Sequence, residues 1–199
     1  MLEIFAKGGP LMWALLACSV LGLAIFLMKL VWFRKLQTDG QVLFKNIIEL
    51  AQKRKVDEAL LVCQQSPSPL SRVFIAALRQ VGKSREHVKT VAVEVAGREG
   101  VSLERYLALL ATIATISPLL GLLGTVIGMI EAFNVIAVAG VGTPATLGGG
   151  ISQALITTAA GMSVAIPVIL AHRFLVGQMN SLVVRMEEYI MQVVDLLGD

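Results

Sequence analysis

Ser117, Thr125, Thr157 and Thr158 place hydroxyls in stretches of this chain that hold no Lys, Arg, Asp or Glu; Gln153 lies among them, and Glu131 and His172 stand at the edges. What such groups can do divides by type. An imidazole changes charge near neutral pH, so His172 can relay protons or simply cap a polar boundary. Glu131 can be solvated or can bind a basic group of a partner. Gln153 cannot titrate, so no proton role is open to it. The hydroxyls can turn back onto their own backbones. The sequence has no nucleotide-binding glycine loop, no zinc-ligand spacing and no nucleophile–base constellation. The chain is therefore not expected to be an enzyme, and no metal or organic cofactor is expected.

The stretches that carry these residues are long enough to cross a bilayer. Of the 199 residues, 56% are hydrophobic and 16% charged, and the mean hydropathy is +0.77. Soluble domains run nearer to about 45–50% apolar and about 25% charged, so the excess calls for lipid as a second solvent. The net charge of +3, with no basic stripe interleaved with aromatics, argues against a nucleic-acid partner. Residues 11–28, 106–130 and 132–171 are free of charge. A spanning helix needs roughly 20 apolar residues. The first stretch qualifies if Lys29 snorkels to the interface and the helix continues to Phe33. The last is too long for one span and is expected to turn at Gly140, Gly142, Pro144 and the glycines 148–150. The expected fold is an all-α membrane protein with transmembrane helices at 11–33, 106–137 and 150–172 and long helices extending into the cytoplasm.

Flanking charge orients the spans. Lys7 and Glu3 precede the first one, whereas Lys29, Arg34 and Lys35 follow it, so it reads as a permanent anchor rather than a signal peptide. Residues 34–105 hold 13 of the 17 basic and 8 of the 14 acidic residues, the Lys/Arg excess of a cytoplasmic segment. Residues 1–10 are then outside, 34–105 form a cytoplasmic insert, 138–149 a translocated turn, and 173–199 a cytoplasmic C-terminal helix. Within the insert, an apolar stripe (Val42, Ile47, Ile48, Leu50) ends at Lys53-Arg54-Lys55. Asp57 and Glu58 suit the first turn of a second helix, which Ser66-Pro67-Ser68-Pro69 stops, and a third helix runs over 70–81 to Gly82. From Ser84, a suitable N-cap, one helix is expected to continue into the second span despite Gly97 and Gly100. Arg98, Glu99, Glu104 and Arg105, just below that span, suit inter-subunit ion pairs or a solvated helix surface. Cys18 and Cys63 cannot form a disulfide framework. Trp13, Trp32 and Tyr106 suit the membrane interfaces.

At about 100° per residue, Ser117, Gly121, Gly124 and Gly128 gather on one side of the second span, with Pro118 and Thr125 at its edge. On the third span Ala154, Thr157, Thr158, Gly161, Ala165 and His172 share a face, and Leu155, Ile156, Met162, Ile166 and Ile169 take the other. Small residues let helix backbones approach, and bulky aliphatics suit lipid. Helix packing through Gly121, Gly124, Gly128 and Gly161 would account for the pattern, and one reading is a passive scaffold that oligomerises through these faces.

The runs Ile116-Ser-Pro-Leu-Leu-Gly-Leu-Leu-Gly-Thr-Val-Ile-Gly-Met-Ile-Glu-Ala-Phe133 and Ile151-Ser-Gln-Ala-Leu-Ile-Thr-Thr-Ala-Ala-Gly-Met-Ser-Val-Ala-Ile-Pro167 resemble the second and third spans of the ExbB/TolQ/MotA proton-channel family. The resemblance extends over the whole chain, from Gly8-Gly9-Pro10 through the insert to the helix pair. It favours the ExbB or TolQ branch over MotA, whose chain is longer and has four spans. It implies a homo-oligomeric, pentameric ring in the bacterial inner membrane, N-terminus periplasmic and C-terminus cytoplasmic. That ring would enclose helices of an ExbD- or TolR-type single-span protein and pass work to a TonB- or TolA-type protein, with protons as the coupling ion. By motif match Thr125 and Thr158 take the positions of pore-facing threonines and Pro118 that of the membrane-embedded proline, with Thr157 and Ser117 beside them in the lining. A lumen lined with hydroxyls can solvate a partner carboxylate or a short water chain that lipid would penalise by several kcal/mol. Many members have Glu where this chain has Gln153, so the proton carrier is expected on the partner as an Asp; Glu131, Gln153 and His172 would form polar ends of the pathway. Energising TonB-dependent outer-membrane transport is the first expectation and a TolQ-type role in envelope integrity the alternative.

Overall fold

The computed structural model describes residue 5, residues 8–139 and residues 144–197. Among them the chain forms helices and no strand: α1 (Leu11–Gln52), α2 (Val56–Gln65), α3 (Pro69–Leu78), α4 (Arg85–Glu104), α5 (Leu107–Ala139) and α6 (Pro144–Leu197). Three segments, Leu11–Gln52, Leu107–Val138 and Gly148–Leu196, are long and apolar enough to cross a membrane. Two compact units divide the chain: Met1–Met28 with Tyr106–Phe174, and Lys29–Arg105 with Leu175–Asp199. The first is apolar and the second carries most of the charge.

The charged unit follows its sequence signals closely. α1 stays helical through Gly40 and stops at Gln52, ahead of the basic triplet, where the Lys55 N–H donates to the Leu50 carbonyl at 3.0 Å. Asp57 and Glu58 occupy the first turn of α2. Ser68 caps α3, its hydroxyl accepting from the Leu70 N–H at 3.3 Å, with Pro69 at the first helical position where its missing N–H costs nothing. Ser84 holds the N-cap position of α4, yet its side chain makes no cap bond. Ile47, Cys63, Val73, Phe74, Ala92 and Ile190 are buried to within 1% and knit α1, α2, α3, α4 and α6 into one core. Each large apolar side chain in such a core contributes roughly 1.5–3 kcal/mol. Phe44 and Tyr189 stack beside it with centroids 4.0 Å apart.

The single helix expected from Ser84 into the second span is instead two. α4 ends at Glu104, Arg105 is extended, and Tyr106 has φ +70° before α5 begins. This break explains Lys29, which does not snorkel. Its side chain is 2% exposed, and its ammonium donates to the Leu103 carbonyl at 2.9 Å while lying 4.3 Å from the Trp32 ring centroid and 5.3 Å from that of Phe33. The last carbonyls of any helix lack an intrahelical donor, and Lys29 supplies one. Of the expected turn at 138–149, residues 140–143 lie outside the described residues, but the glycines 148–150 fall inside α6 rather than interrupting it. The third span and the C-terminal helix are likewise one continuous α6, as the first span and the apolar stripe after it are one continuous α1.

Candidate functional site

In the apolar unit α5 and α6 meet along their glycines. A Cβ on Gly161 would lie 2.7 Å from the Ser117 carbonyl oxygen, and one on Gly121 3.0 Å from the Thr158 Cα. A Cβ on Gly128 would come within 2.7 Å of the Gly150 carbonyl oxygen, and one on Gly150 within 2.5 Å of that of Gly128. Gly150 therefore belongs to the seam, and tertiary contact overrides its tendency to break a helix. These small-residue faces are therefore taken up, at least along this seam, inside one chain.

The hydroxyls divide along this seam. Ser117 is fully buried and donates to the Ile113 carbonyl at 2.7 Å. Thr157, 1% exposed, donates to the Gln153 carbonyl at 2.6 Å and reaches the Gly8 carbonyl at 3.3 Å. Both were expected to line a pore; both are enclosed between helices instead, because the glycines opposite leave no gap. Thr125 and Thr158 are half-buried. Thr125 donates to the Leu122 carbonyl at 2.6 Å and Thr158 across the seam to the Gly121 carbonyl at 3.0 Å.

The start of α1 settles which edge of the helix pair is open. Gly8 and Gly9 pack on Ile156 and Gln153, and a Cβ on Gly22 would lie 3.0 Å from Val168 and 3.9 Å from Ile113. Counting about 100° per residue from those contacts, Thr125 and Pro118 on α5 and Thr158 on α6 fall together on the opposite edge, away from α1. Pro118 has no N–H, so the Ala114 carbonyl lacks its regular i+4 donor. The donors of Thr125 and Thr158 are committed to carbonyls, so their oxygens are left as acceptors. Such an edge can take hydrogen bonds from water or from a protonated acid; it is poorly suited to a bare carboxylate.

The other predicted residues are not brought to that edge. Gln153 is half-buried beneath Gly9, its amide nitrogen 2.5 Å from where a Gly9 Cβ would be. Glu131 is exposed on α5, and His172 is half-buried on α6. Arg98 pairs with Glu94 at 2.6 Å and Glu99 with Arg72 at 2.6 Å, so both have partners within the chain; Glu104 is exposed and Arg105 follows the end of α4. Among the described residues no group of His, Cys, Asp and Glu could hold a metal. Sequence reasoning missed Lys29 as a helix cap. The signal was available, since Trp32 and Phe33 follow it at the i+3 and i+4 spacing that stacks side chains on one helix face.

Comparison with known proteins bears on the same residues. The MotA/TolQ/ExbB proton channel family matches residues 65–188. A protein of Synechocystis sp. named as an ExbB-like biopolymer transport protein is 36% identical over 181 residues, covering 89% of this chain and 71% of its own length. A Methanothermobacter thermautotrophicus protein named as an ExbB homolog is 30% identical over 187 residues, covering 94% of this chain and 66% of its own length. A second ExbB-like protein of Synechocystis sp. is 29% identical over 165 residues, covering 82% of this chain and 79% of its own length.

Proposed function

Because this chain belongs to the MotA/TolQ/ExbB proton channel family, we propose that it is the ring-forming subunit of an inner-membrane motor, using the proton motive force with an ExbD-type single-span partner to energise TonB-dependent outer-membrane transport. In this reading about five copies surround the partner helices, with the N-terminus periplasmic and the insert 34–105 cytoplasmic. The open edges, carrying Thr125, Thr158 and Pro118, face the centre. The observation that carries the reading is that edge, with two half-buried hydroxyls whose donors are committed and whose oxygens can accept. A protonated Asp on the partner could donate to them while crossing a region in which its charged form is penalised by several kcal/mol. The ring then supplies a polar track and the partner supplies the proton carrier, in keeping with a Gln at position 153.

The test is proton flux into liposomes holding the purified complex. Thr125→Val and Thr158→Val keep the side-chain volume and remove the acceptor; each is expected to lower flux about tenfold, the rate equivalent of about 1.4 kcal/mol. A native complex that conducts no protons with the partner's membrane Asp intact overturns the proposal, as does a double Val variant that conducts like the native one. In cells, loss of the gene should impair energised uptake while the outer membrane stays tight. Leakiness and detergent sensitivity instead would assign the same motor to envelope integrity.

A further inference from the structure

The Gly8–Gly9 turn that precedes α1 is seated on the α1-facing side of α6, away from the Thr125–Thr158 edge. Gly9 has φ +72°, a conformation that costs other residues about 1–2 kcal/mol. Its carbonyl accepts from the Met12 N–H and the Pro10 carbonyl from the Trp13 N–H, both at 3.2 Å, which opens the helix; Phe5 meets Trp13 edge-on with centroids 5.0 Å apart. Three contacts tie this turn to α6: the Thr157 hydroxyl to the Gly8 carbonyl, Gln153 against Gly9, and Ile156 within 3.3 Å of a Gly8 Cβ position. The Thr157 methyl is at the same time wedged against Gly124, 2.5 Å from where a Cβ would be. Thr157 thus joins the turn, α5 and α6 in one place, with its single hydroxyl proton already shared between two carbonyls.

We propose that Gln153 and Thr157 are positioning residues that seat the start of α1 on α6 and take no part in proton movement. A group in a proton path must exchange hydrogen bonds with water or with the carrier. Thr157 is 1% exposed, and Gln153 lies beneath a turn on the opposite side from the track. The inference rests on the pathway proposed along Thr125 and Thr158, and it narrows that pathway to one edge of the helix pair.

The test uses the full chain in complex with its partner. Cys18→Ser and Cys63→Ala are introduced so that Gly8→Cys and Ile156→Cys carry the only thiols. Mild oxidation is expected to close the disulfide while leaving proton flux unchanged, because the joint is static. Adding Thr157→Val, which keeps the wedge and drops the hydroxyl, should slow cross-linking about fivefold, the worth of one hydrogen bond, and Thr157→Ser should restore the rate. Flux and its pH profile should stay native in both, and Gln153→Glu should leave the pH profile where it was. A disulfide that does not form, a disulfide that stops flux, or a pH profile moved by Gln153→Glu overturns the inference. If the cysteine pair prevents folding, amide exchange at Met12 and Trp13 in a Thr157→Val single variant decides: about fivefold faster exchange supports the joint, and unchanged exchange overturns it. A native complex without proton flux defeats the pathway reading, while the cross-linking and exchange arms still decide the joint.

Discussion

Replacing Gly161 by Ala should destabilise the protein, although alanine is the better helix former. The new methyl carbon would sit 2.7 Å from the Ser117 carbonyl oxygen, 3.0 Å from the Gly121 Cα and 3.1 Å from the Gly121 nitrogen, all backbone atoms that cannot rotate away. Ordinary contact begins near 3.4 Å, so α5 and α6 must part locally by about 0.7 Å. A gap of that size forfeits a quarter to a half of each dispersion contact it opens; about twenty pairs at ~0.15 kcal/mol lose ~1 kcal/mol together. The Thr158 bond to the Gly121 carbonyl, now 3.0 Å, would stretch past hydrogen-bonding range, and such bonds between spanning helices average about 0.6 kcal/mol. The helix-propensity gain of up to ~1 kcal/mol for Gly→Ala barely applies, because a separated spanning helix in lipid is still a helix. The net expectation is a loss of about 1.5 kcal/mol. Gly97, mid-way along α4 with nothing within 4 Å of a Cβ, is the control: Gly97→Ala should stabilise by about 0.5–1 kcal/mol. Energy transfer between labels on α5 and α6 during denaturant titration in bilayer discs measures the sign for Gly161→Ala, and helical circular dichroism during the same titration measures it for Gly97→Ala in the charged unit. A Gly161→Ala protein as stable as the native one, or more so, would refute the claim that this seam is closed at backbone contact.

Two further outcomes follow from the charged unit. Lys29→Met removes the donor to the Leu103 carbonyl; amide exchange over 102–106 should quicken about tenfold, since an orphaned buried carbonyl costs about 1–3 kcal/mol, and Lys29→Arg should recover much of the protection. Unchanged exchange would discard Lys29 as the cap of α4. Burial pushes the Cys63 thiol up to about 12, so it should resist alkylation at pH 8 in the folded protein and react once the protein is unfolded. The sign of its linkage is fixed: the folded state keeps the proton that the unfolded chain releases near pH ~8.5. The thiol's contribution is therefore whole below that pH and is lost as pH rises toward the folded value of about 12. Rapid labelling of native protein, or stability that rises over this range, would contradict it.

Much of this was legible in the sequence because the relevant signals are local. Charge-free runs marked the three spans, and Lys53-Arg54-Lys55 and Pro69 marked helix ends of the insert, whereas the helix expected to run over 70–81 to Gly82 already ends at Leu78. The break at Arg105–Tyr106 was not legible, since neither residue is a breaker; it depends on a lysine 74 residues away to satisfy the Leu103 carbonyl. Glycines 148–150 misled in the opposite sense, because local propensity says turn while Gly128 across the seam requires a residue without a side chain at position 150. Periodicity groups Thr157 and Thr158 with Ala154 and Gly161 on one face of α6, but it does not say which edge of the helix pair each takes. Thr157 and Thr158 are neighbours about 100° apart, and only the position of α1 against α6 tells which of them is enclosed.

The glycine seam also has a consequence for how such a subunit is made. Since Gly121, Gly124, Gly128, Gly150 and Gly161 find their partners within the same polypeptide, a newly inserted copy can close its own polar backbone before meeting any neighbour. It then offers the surrounding acyl chains a coat of Leu119, Leu122, Leu155, Met162 and Ile166, all exposed in the lone chain. Any assembly of finished copies, as in the ring proposed above, would then be a separate, later event, governed by how many of them share a patch of bilayer.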